Sequence, residues 1–408
     1  MTGLVIVADD LTGAADSAAL LTCRGRTSIV LDAEGEWPPD DVLAVDTDSR
    51  HCEADVAAER VAAGTRRAHR LGAQVVKKID STMRGNIAAE LRALAGVLAD
   101  EGKPTMLVVA PAFPATGRTT RGGVVHVDGR SLPANGSGGD VVALLERAGI
   151  RTHGLDAHVD ERALARLLEE AHRDGRDAVV VDAETDRHLA AVVAAARLAT
   201  VPVVLVGSGG LTRPLADIPP DSSGAPSPAD RAGAPSPADG ARTERRTGPT
   251  LVVVGSYADV SRLQRSRLVD AGARPVTLGD DMEHTAQDLR AALSGGIAVL
   301  SPDPDGPVVR ADAPRVARAL AGTVAAVLGD VATLVATGGE TARAVLTAAG
   351  VSRLVVTGEL EPGIVRGRVP ELDLDLVTKA GGFGDADALL RCVGPQLSTT
   401  VSQGGTRP

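Results

Sequence analysis

The chain has 408 residues, more than one ordinary core accommodates, and 44% of them are hydrophobic, so wholesale disorder is excluded and two or three domains are expected. Aromatic residues make up only 1%, and 53 acids against 43 Lys and Arg give a formal charge of −10. That balance supplies neither base-stacking rings nor a basic footprint, which disfavours nucleic acid and anionic membrane as partners. Cys23, Cys52 and Cys392 are widely spaced and form no CxxC. With an opening MTGLVIVADD that lacks a basic leader, and no apolar run of ~18 residues, they point to a reducing, cytoplasmic setting.

In chain order, short aliphatic runs alternate with helical patterns, the signature of βαβ units around a mostly parallel sheet. Strands are predicted at Leu4–Ala8, Ser28–Leu31, Val42–Asp46, Gln74–Ile79, Met106–Ala110, Ala178–Asp182 and Val201–Val206. Ile87, Leu91, Leu94 and Leu98, then Leu164, Leu167, Leu168 and Ala171, mark buried helix faces between them. Residues 218–249 contain GAPSPAD twice, at 224–230 and 233–239, and read as a flexible Pro/Ala/Ser/Gly-rich linker. A second series follows at Leu251–Val254, Pro275–Leu278, Ile297–Ser301, Thr333–Thr337, Leu354–Thr357 and Leu374–Thr378. The expected architecture is therefore α/β with two domains, 1–217 and 250–394, each a mostly parallel sheet flanked by helices, with 395–408 as a tail.

Several common sites are absent: there is no GxxxxGK[ST], HExxH, GxSxG or complete GxGxxG. What remains are polar clusters where strands run into helices, the place where open α/β sheets bind ligands. Asp9 and Asp10 follow the first strand; they can hold sugar hydroxyls, bind magnesium or act as a base, and Asp10 or Thr12 can equally serve as a helix cap. Lys77 to Asn86 gathers Lys78, Asp80, Ser81 and Arg84, an inventory suited to gripping a carboxylate and neighbouring hydroxyls. Only four Lys stand against 39 Arg, so the pair Lys77–Lys78 and the later Lys379 suggest places where a compact point charge is needed. Asn86 reads as an N-cap, the loop with Arg118 and Arg121 as a ligand loop or a rigid surface turn, and His126 as structural. In the second half, Gly255-Ser256, Gly338-Gly339-Glu340-Thr341 and Lys379-Ala380-Gly381-Gly382 end three strands, and such glycine turns at helix starts suit nucleotide phosphates. Glu340 opposes that reading unless a cation or ribose hydroxyls intervene.

Together ADDLTGA, KKIDSTMRGN, PAFPATGRTT, VGSGGLT, ATGGETA, GELEPGI and KAGGFG, in this order, resemble the four-carbon acid sugar kinase family. The resemblance spans almost the whole chain outside the linker and tail. It implies an ATP-dependent kinase, with Mg2+, that phosphorylates the terminal 4-hydroxyl of threonate, erythronate or 3-oxo-tetronate. By motif position it assigns Asp9, Asp10, Lys78, Asp80, Ser81 and Arg84 to the acid site, with Asp10 or Asp80 as the catalytic base. Ser256, Gly338, Gly339, Glu340, Thr341 and Gly381 fall to the ATP site. Two hydroxyls of the family pattern are missing, since Ala258 and Ala380 stand where serines are usual. A kinase for 4-hydroxythreonine or another short hydroxy acid, and a non-catalytic sensor of sugar acid and nucleotide, are the alternatives. Metal ligands, stereoisomer and homo-oligomer formation are not specified by these motifs.

Overall fold

The computed structural model describes residues 2–132, 139–156, 160–218, 246–304, 306 and 312–394. Two compact units result, one on each side of 219–245. Most of the predicted linker and all of the predicted tail lie outside the described residues.

The first unit runs β1 (Leu4–Ala8), α1 (Leu11–Leu20), β2 (Thr27–Val30), β3 (Val42–Asp46), α2 (Ala54–Arg70), β4 (Gln74–Lys78), α3 (Ile87–Asp100) and β5 (Met106–Ala110). It continues with β6 (Arg118–Arg121), β7 (Val124–Val127), β8 (Arg130–Ser131), α4 (Val141–Arg147), β9 (Thr152–Leu155), α5 (Glu161–Arg173), β10 (Ala178–Val181), α6 (Asp186–Leu198), β11 (Val203–Gly207) and α7 (Gly209–Ala216). The main sheet is parallel throughout, in the order β2-β3-β1-β4-β11-β5-β10-β9. Helices cover both faces of such a sheet, which is why β1, β3 and β5 are unbroken aliphatic runs, buried at every residue. Ile87, Leu91, Leu94 and Leu98 of α3 join that core, each contributing roughly 1.5–3 kcal/mol of apolar burial. The loop carrying Arg118 and Arg121 is a small antiparallel sheet, β6-β7-β8, with Arg121 paired to Glu184. His126 makes a local contact from Nδ1 to Val124 O at 3.0 Å.

The second unit contains β12 (Thr250–Val254), α8 (Asp259–Asp270), β13 (Arg274–Thr277), α9 (Met282–Leu293), β14 (Ile297–Ser301) and α10 (Ala313–Ala325). After these come β15 (Thr333–Thr337), α11 (Gly339–Ala348), β16 (Arg353–Glu361), β17 (Ile364–Val369), β18 (Leu374–Lys379) and α12 (Ala388–Val393). Its order is β13-β14-β12-β15-β18-β17-β16, parallel as far as β18 and antiparallel beyond. The antiparallel hairpin β16–β17 was not expected as two strands. Arg366 and Arg368 alternate with apolar residues along β17, and Gly367 stands where an added Cβ would lie 2.8 Å from Val355 O.

The first four strands of each unit have the same order: second, third, first, fourth. The connection leaving the first strand and the one leaving the fourth therefore depart in opposite directions. The C-terminal ends of these two neighbours form the switch point at which doubly wound sheets bind ligands. Register keeps the exits level. Ala8 pairs with both Asp46 and Lys78, and Thr337 with both Val254 and Lys379.

Candidate active site

At the switch point of the first unit, three exits bring together Asp9 and Asp10 after β1, Arg50 after β3, and Asp80 after β4. Asp10 caps α1, its Oδ1 accepting from Gly13 N at 2.9 Å. Arg50 binds the other edge of that carboxylate as a fork, Nη1 to Oδ2 at 2.6 Å and Nη2 to Oδ1 at 2.7 Å, while its Nε donates to Asp9 Oδ2 at 2.7 Å. Arg50 Nη2 also stands 3.7 Å from Asp80 Oδ1. All three guanidinium nitrogens thus serve carboxylates of the protein. Arg84 makes a second fork to Asp80, Nε at 2.9 Å and Nη2 at 2.6 Å, but its side chain is 63% exposed and its Nη1 is not engaged by Asp80.

The two carboxylates proposed as the base are heavily bonded. Asp10 accepts from Thr12 Oγ1, Gly13 N and Arg50 twice; Asp80 accepts from Thr82 N and Oγ1, Arg84 N and both arms of the Arg84 fork. A carboxylate offers about four lone-pair sites, so both are close to saturated. Asp9 differs: it is 1% exposed and its Oδ1 has no hydrogen-bond partner. Burial by itself would raise the Asp9 carboxyl, but Arg50, then Lys78 and Lys77, hold it below the usual carboxylate range. The same competition acts at Asp80, where burial is overcome by Arg84, Arg50 and the Thr82 hydroxyl, leaving its carboxyl well below that range.

Arg50 was missed from sequence. Its cluster, Thr47-Asp48-Ser49-Arg50, follows a strand just as Asp9-Asp10 does, and reading every strand exit alike would have found it. Behind it lies a buried ion pair, Lys77 Nζ to Glu90 Oε2 at 2.8 Å with both side chains fully buried. Ser49 Oγ donates to Glu90 Oε1 at 2.6 Å, and the Ser49 and Arg50 amides both donate to Asp9 O. Asn86 stands at the N-cap position of α3 without capping it; its Nδ2 instead donates to Ser49 O and Cys52 O. Ser81 is half-buried in the tight turn between Asp80 and Arg84. Lys78 is buried, donates to Ile79 O at 2.9 Å, and lies so near α1 that a Cβ on Gly13 would be 2.7 Å from Nζ.

The second unit holds its glycine turns together in a comparable way. Gly338, at φ +98°, starts α11, and its amide donates to Lys379 O at 2.8 Å. A Cβ on Gly255 would fall 2.0 Å from Thr341 Oγ1, and one on Gly381 would fall 2.2 Å from Ser256 Oγ. Gly255, Ser256, Gly338, Thr341 and Gly381 therefore share one small space, with no room for a side chain at Gly255 or Gly381, which fits a phosphate cradle of backbone amides at a helix start. Glu340 is exposed and Gly339 half-buried in the first turn of that helix. Ser261 Oγ donates to Gly381 O at 2.7 Å, and Gln264 Nε2 reaches the carbonyls of Phe383, Gly384 and Asp385, so α8 braces the 381–385 turn.

The sparse lysines share one device. Lys77, Lys78 and Lys379 are buried, and each turns back to donate to the carbonyl of the next residue at its strand's exit. Lys379 also reaches Gly381 O at 3.2 Å, and burial lowers it to about 8. These side chains tie the site's loops to the strand ends.

Comparison with known proteins agrees with this division. The family model for a sugar-binding N-terminal domain matches residues 4–215, and that for a nucleotide-binding C-terminal domain matches residues 251–389. The chain is 36% identical to a D-threonate kinase of Cupriavidus necator, over 94% of this chain and 96% of the relative. It is 30% identical to a 3-oxo-tetronate kinase of Methylobacterium radiotolerans, over 93% and 96%. A solved structure from Haemophilus influenzae shares the fold with a TM-score of 0.70 at 21% identity, covering 97% of this chain and 99% of that one. With both domain models in sequence and full-length relatives on either side of the substrate range, the chain belongs to the four-carbon acid sugar kinase family.

Proposed function

We propose that this sugar-acid kinase transfers the terminal phosphate of ATP to the 4-hydroxyl of a four-carbon sugar acid such as threonate, erythronate or 3-oxo-tetronate. The acid would be held at the exits of β1, β3 and β4, the nucleotide at those of β12, β15 and β18. The observation that carries the reading is Asp9 Oδ1, a buried, ionised acceptor with no partner, in a cluster that Arg50 links through Asp80 to the exposed guanidinium of Arg84, which still has capacity. A hydroxy acid satisfies both: a hydroxyl donates to Asp9 and a carboxylate accepts from Arg84.

In this reading Arg50 holds Asp9 and Asp10 in place, Asp80 orients Arg84, and Lys78 and Ser81 complete the wall. Asp10 is the better placed proton acceptor of the two named carboxylates, because it accepts four hydrogen bonds against five at Asp80. It acts once Thr12 or Arg50 yields one bond to the acceptor hydroxyl. Strong basicity is not needed where the transfer is loose and dominated by positioning. The nucleotide's phosphates fit the amides around Gly338, Gly339 and Gly381, flanked by Ser256 and Thr341, with Glu340 turned to solvent. Magnesium would supply charge neutralisation on those phosphates. Among the described residues no group of three His, Cys, Asp or Glu side chains could hold a metal, so the ion fits as one carried largely by phosphate oxygens.

The test is ADP release with D-threonate, D-erythronate, 3-oxo-tetronate, 4-hydroxythreonine and 4-hydroxybutyrate, the last lacking the inner hydroxyls. A site built to bond a substrate hydroxyl rejects the analogue lacking it by about 10⁴-fold in kcat/KM. Wild type should show that preference for one hydroxy acid over 4-hydroxybutyrate, and Asp9→Asn should reduce it to within about tenfold. Turnover with none of the acids, or a preference untouched by Asp9→Asn, would remove the basis for this assignment.

A further inference from the structure

The glycine turns account for phosphate binding but leave the nucleoside without a place. Beside them is a cavity of about 240 Å3, at the exits of β12 and β14 and against the start of α10, lined in part by Ser256, Tyr257, Arg265, Pro302, Pro304 and Val316. It is smaller than the roughly 300–1,000 Å3 of sites that enclose a whole ligand, so it suits one end of a nucleotide. Ser256 joins it to the cradle, because the same residue lines the cavity and packs against Gly381 and Gly338.

The lining has the character of a base site. Pro302, Pro304 and Val316 offer apolar walls, and Tyr257 adds an aromatic face in a chain with only four aromatic residues. The other rings are used elsewhere. Trp37 stacks under Arg67, Phe113 is buried against Gly209, and Phe383 packs on Gly363. Tyr257 is half-buried, and its hydroxyl has no hydrogen-bond partner among the described residues, so neither core packing nor a polar tether explains it. Arg265 is fixed by its Nε donating to Ser301 Oγ at 2.8 Å, which leaves its terminal nitrogens for sugar or phosphate oxygens.

We propose that this cavity receives the nucleoside end of the nucleotide, with the Tyr257 ring against the base and Arg265 beside the ribose and α-phosphate. The proposal rests on the nucleotide reading above and assigns its second half. Base–aromatic stacking is typically strong enough that removing the ring weakens binding by about tenfold to a hundredfold.

Tyr257 is the only tyrosine, so tyrosine emission of the full chain carrying Trp37→Phe reports on this cavity alone. Adenosine and ADP should change that emission, whereas inorganic tripolyphosphate, binding by calorimetry, should not. Tyr257→Ala should weaken ADP at least tenfold and leave tripolyphosphate within twofold, and Tyr257→Phe should keep ADP within twofold. Equal ADP affinity in wild type and Tyr257→Ala, or emission changed by tripolyphosphate but not adenosine, would overturn the base site while sparing the nucleotide reading. Failure of wild type to bind either ADP or tripolyphosphate would overturn both.

Discussion

Replacing Arg50 with Met is expected to lower kcat/KM for the acid by at least about a hundredfold, and Arg50→Lys should not restore it. Misplacing a reacting group by about 1 Å already costs that much. Arg50 fixes two carboxylates with three nitrogens in one plane, a geometry that a single ammonium cannot reproduce. Without it Asp9, Asp10 and Asp80 face one another with less compensating charge. Removing one member of a buried ion cluster typically destabilises by roughly 3–5 kcal/mol, so the variant should also unfold more readily.

The acid side of the stability profile gives a second readout of the same substitution. Asp9 and Asp80 are held below their unfolded values, so their contribution is present in full above pH ~4 and is lost as pH falls through the lowered native values. The acid-unfolding midpoint of Arg50→Met should therefore move to higher pH than that of wild type. Nucleotide affinity, measured by calorimetry with ADP, should stay within about threefold, since the glycine turns belong to the other unit. Arg50→Lys retaining near-normal kcat/KM would contradict the role given to the fork.

The other large effect is expected at Lys77 and Glu90. Both side chains are fully buried, and either single change, Lys77→Met or Glu90→Met, leaves an uncompensated partner behind, at roughly 3–5 kcal/mol. The double variant Lys77→Met, Glu90→Met should recover most of that stability, because an apolar pair of similar volume avoids desolvating two charges. It should not recover activity. Glu90 also accepts from Ser49, whose backbone sits on Asp9 and leads directly into Arg50, so the loop is expected to lose its register. Urea denaturation separates the two effects: additive losses in the double variant, or full kcat/KM alongside recovered stability, would show that the pair neither couples nor positions the loop.

Much of the fold was legible because parallel strands buried on both faces are written as uninterrupted aliphatic runs. Val42–Asp46 and Met106–Ala110 have the predicted bounds to the residue. The signal fails where one face is wet or the strand is short. β17 reads as IVRGRV, and β9 has only Thr152, His153, Gly154 and Leu155 at the sheet's edge. In the site, Asp9 and Asp10 stood out because they directly follow a strand, and Asp80 and Arg84 because their run also carries Lys77 and Lys78, two of the chain's four lysines. Arg50 did not, being one Arg among 39 and four residues beyond its strand. Glu90 was hidden for the opposite reason: it sits on a helix whose neighbours Ile87, Leu91 and Leu94 mark an apolar face, where an acid is explained only by Lys77 across the packing. The lysines were noticed for their scarcity, yet their shared use in tying back strand-exit carbonyls is visible only in three dimensions.

A hydroxy acid held by Asp9 and Arg84 is proposed to receive a phosphate on its terminal oxygen. Phosphorus–proton coupling in the NMR spectrum of the product from ATP and the preferred acid tests it most directly. A phosphomonoester coupled to the two C4 protons, formed with one equivalent of ADP, is the predicted result. A phosphate coupled to a C2 or C3 proton, or an acyl phosphate on C1, would contradict it.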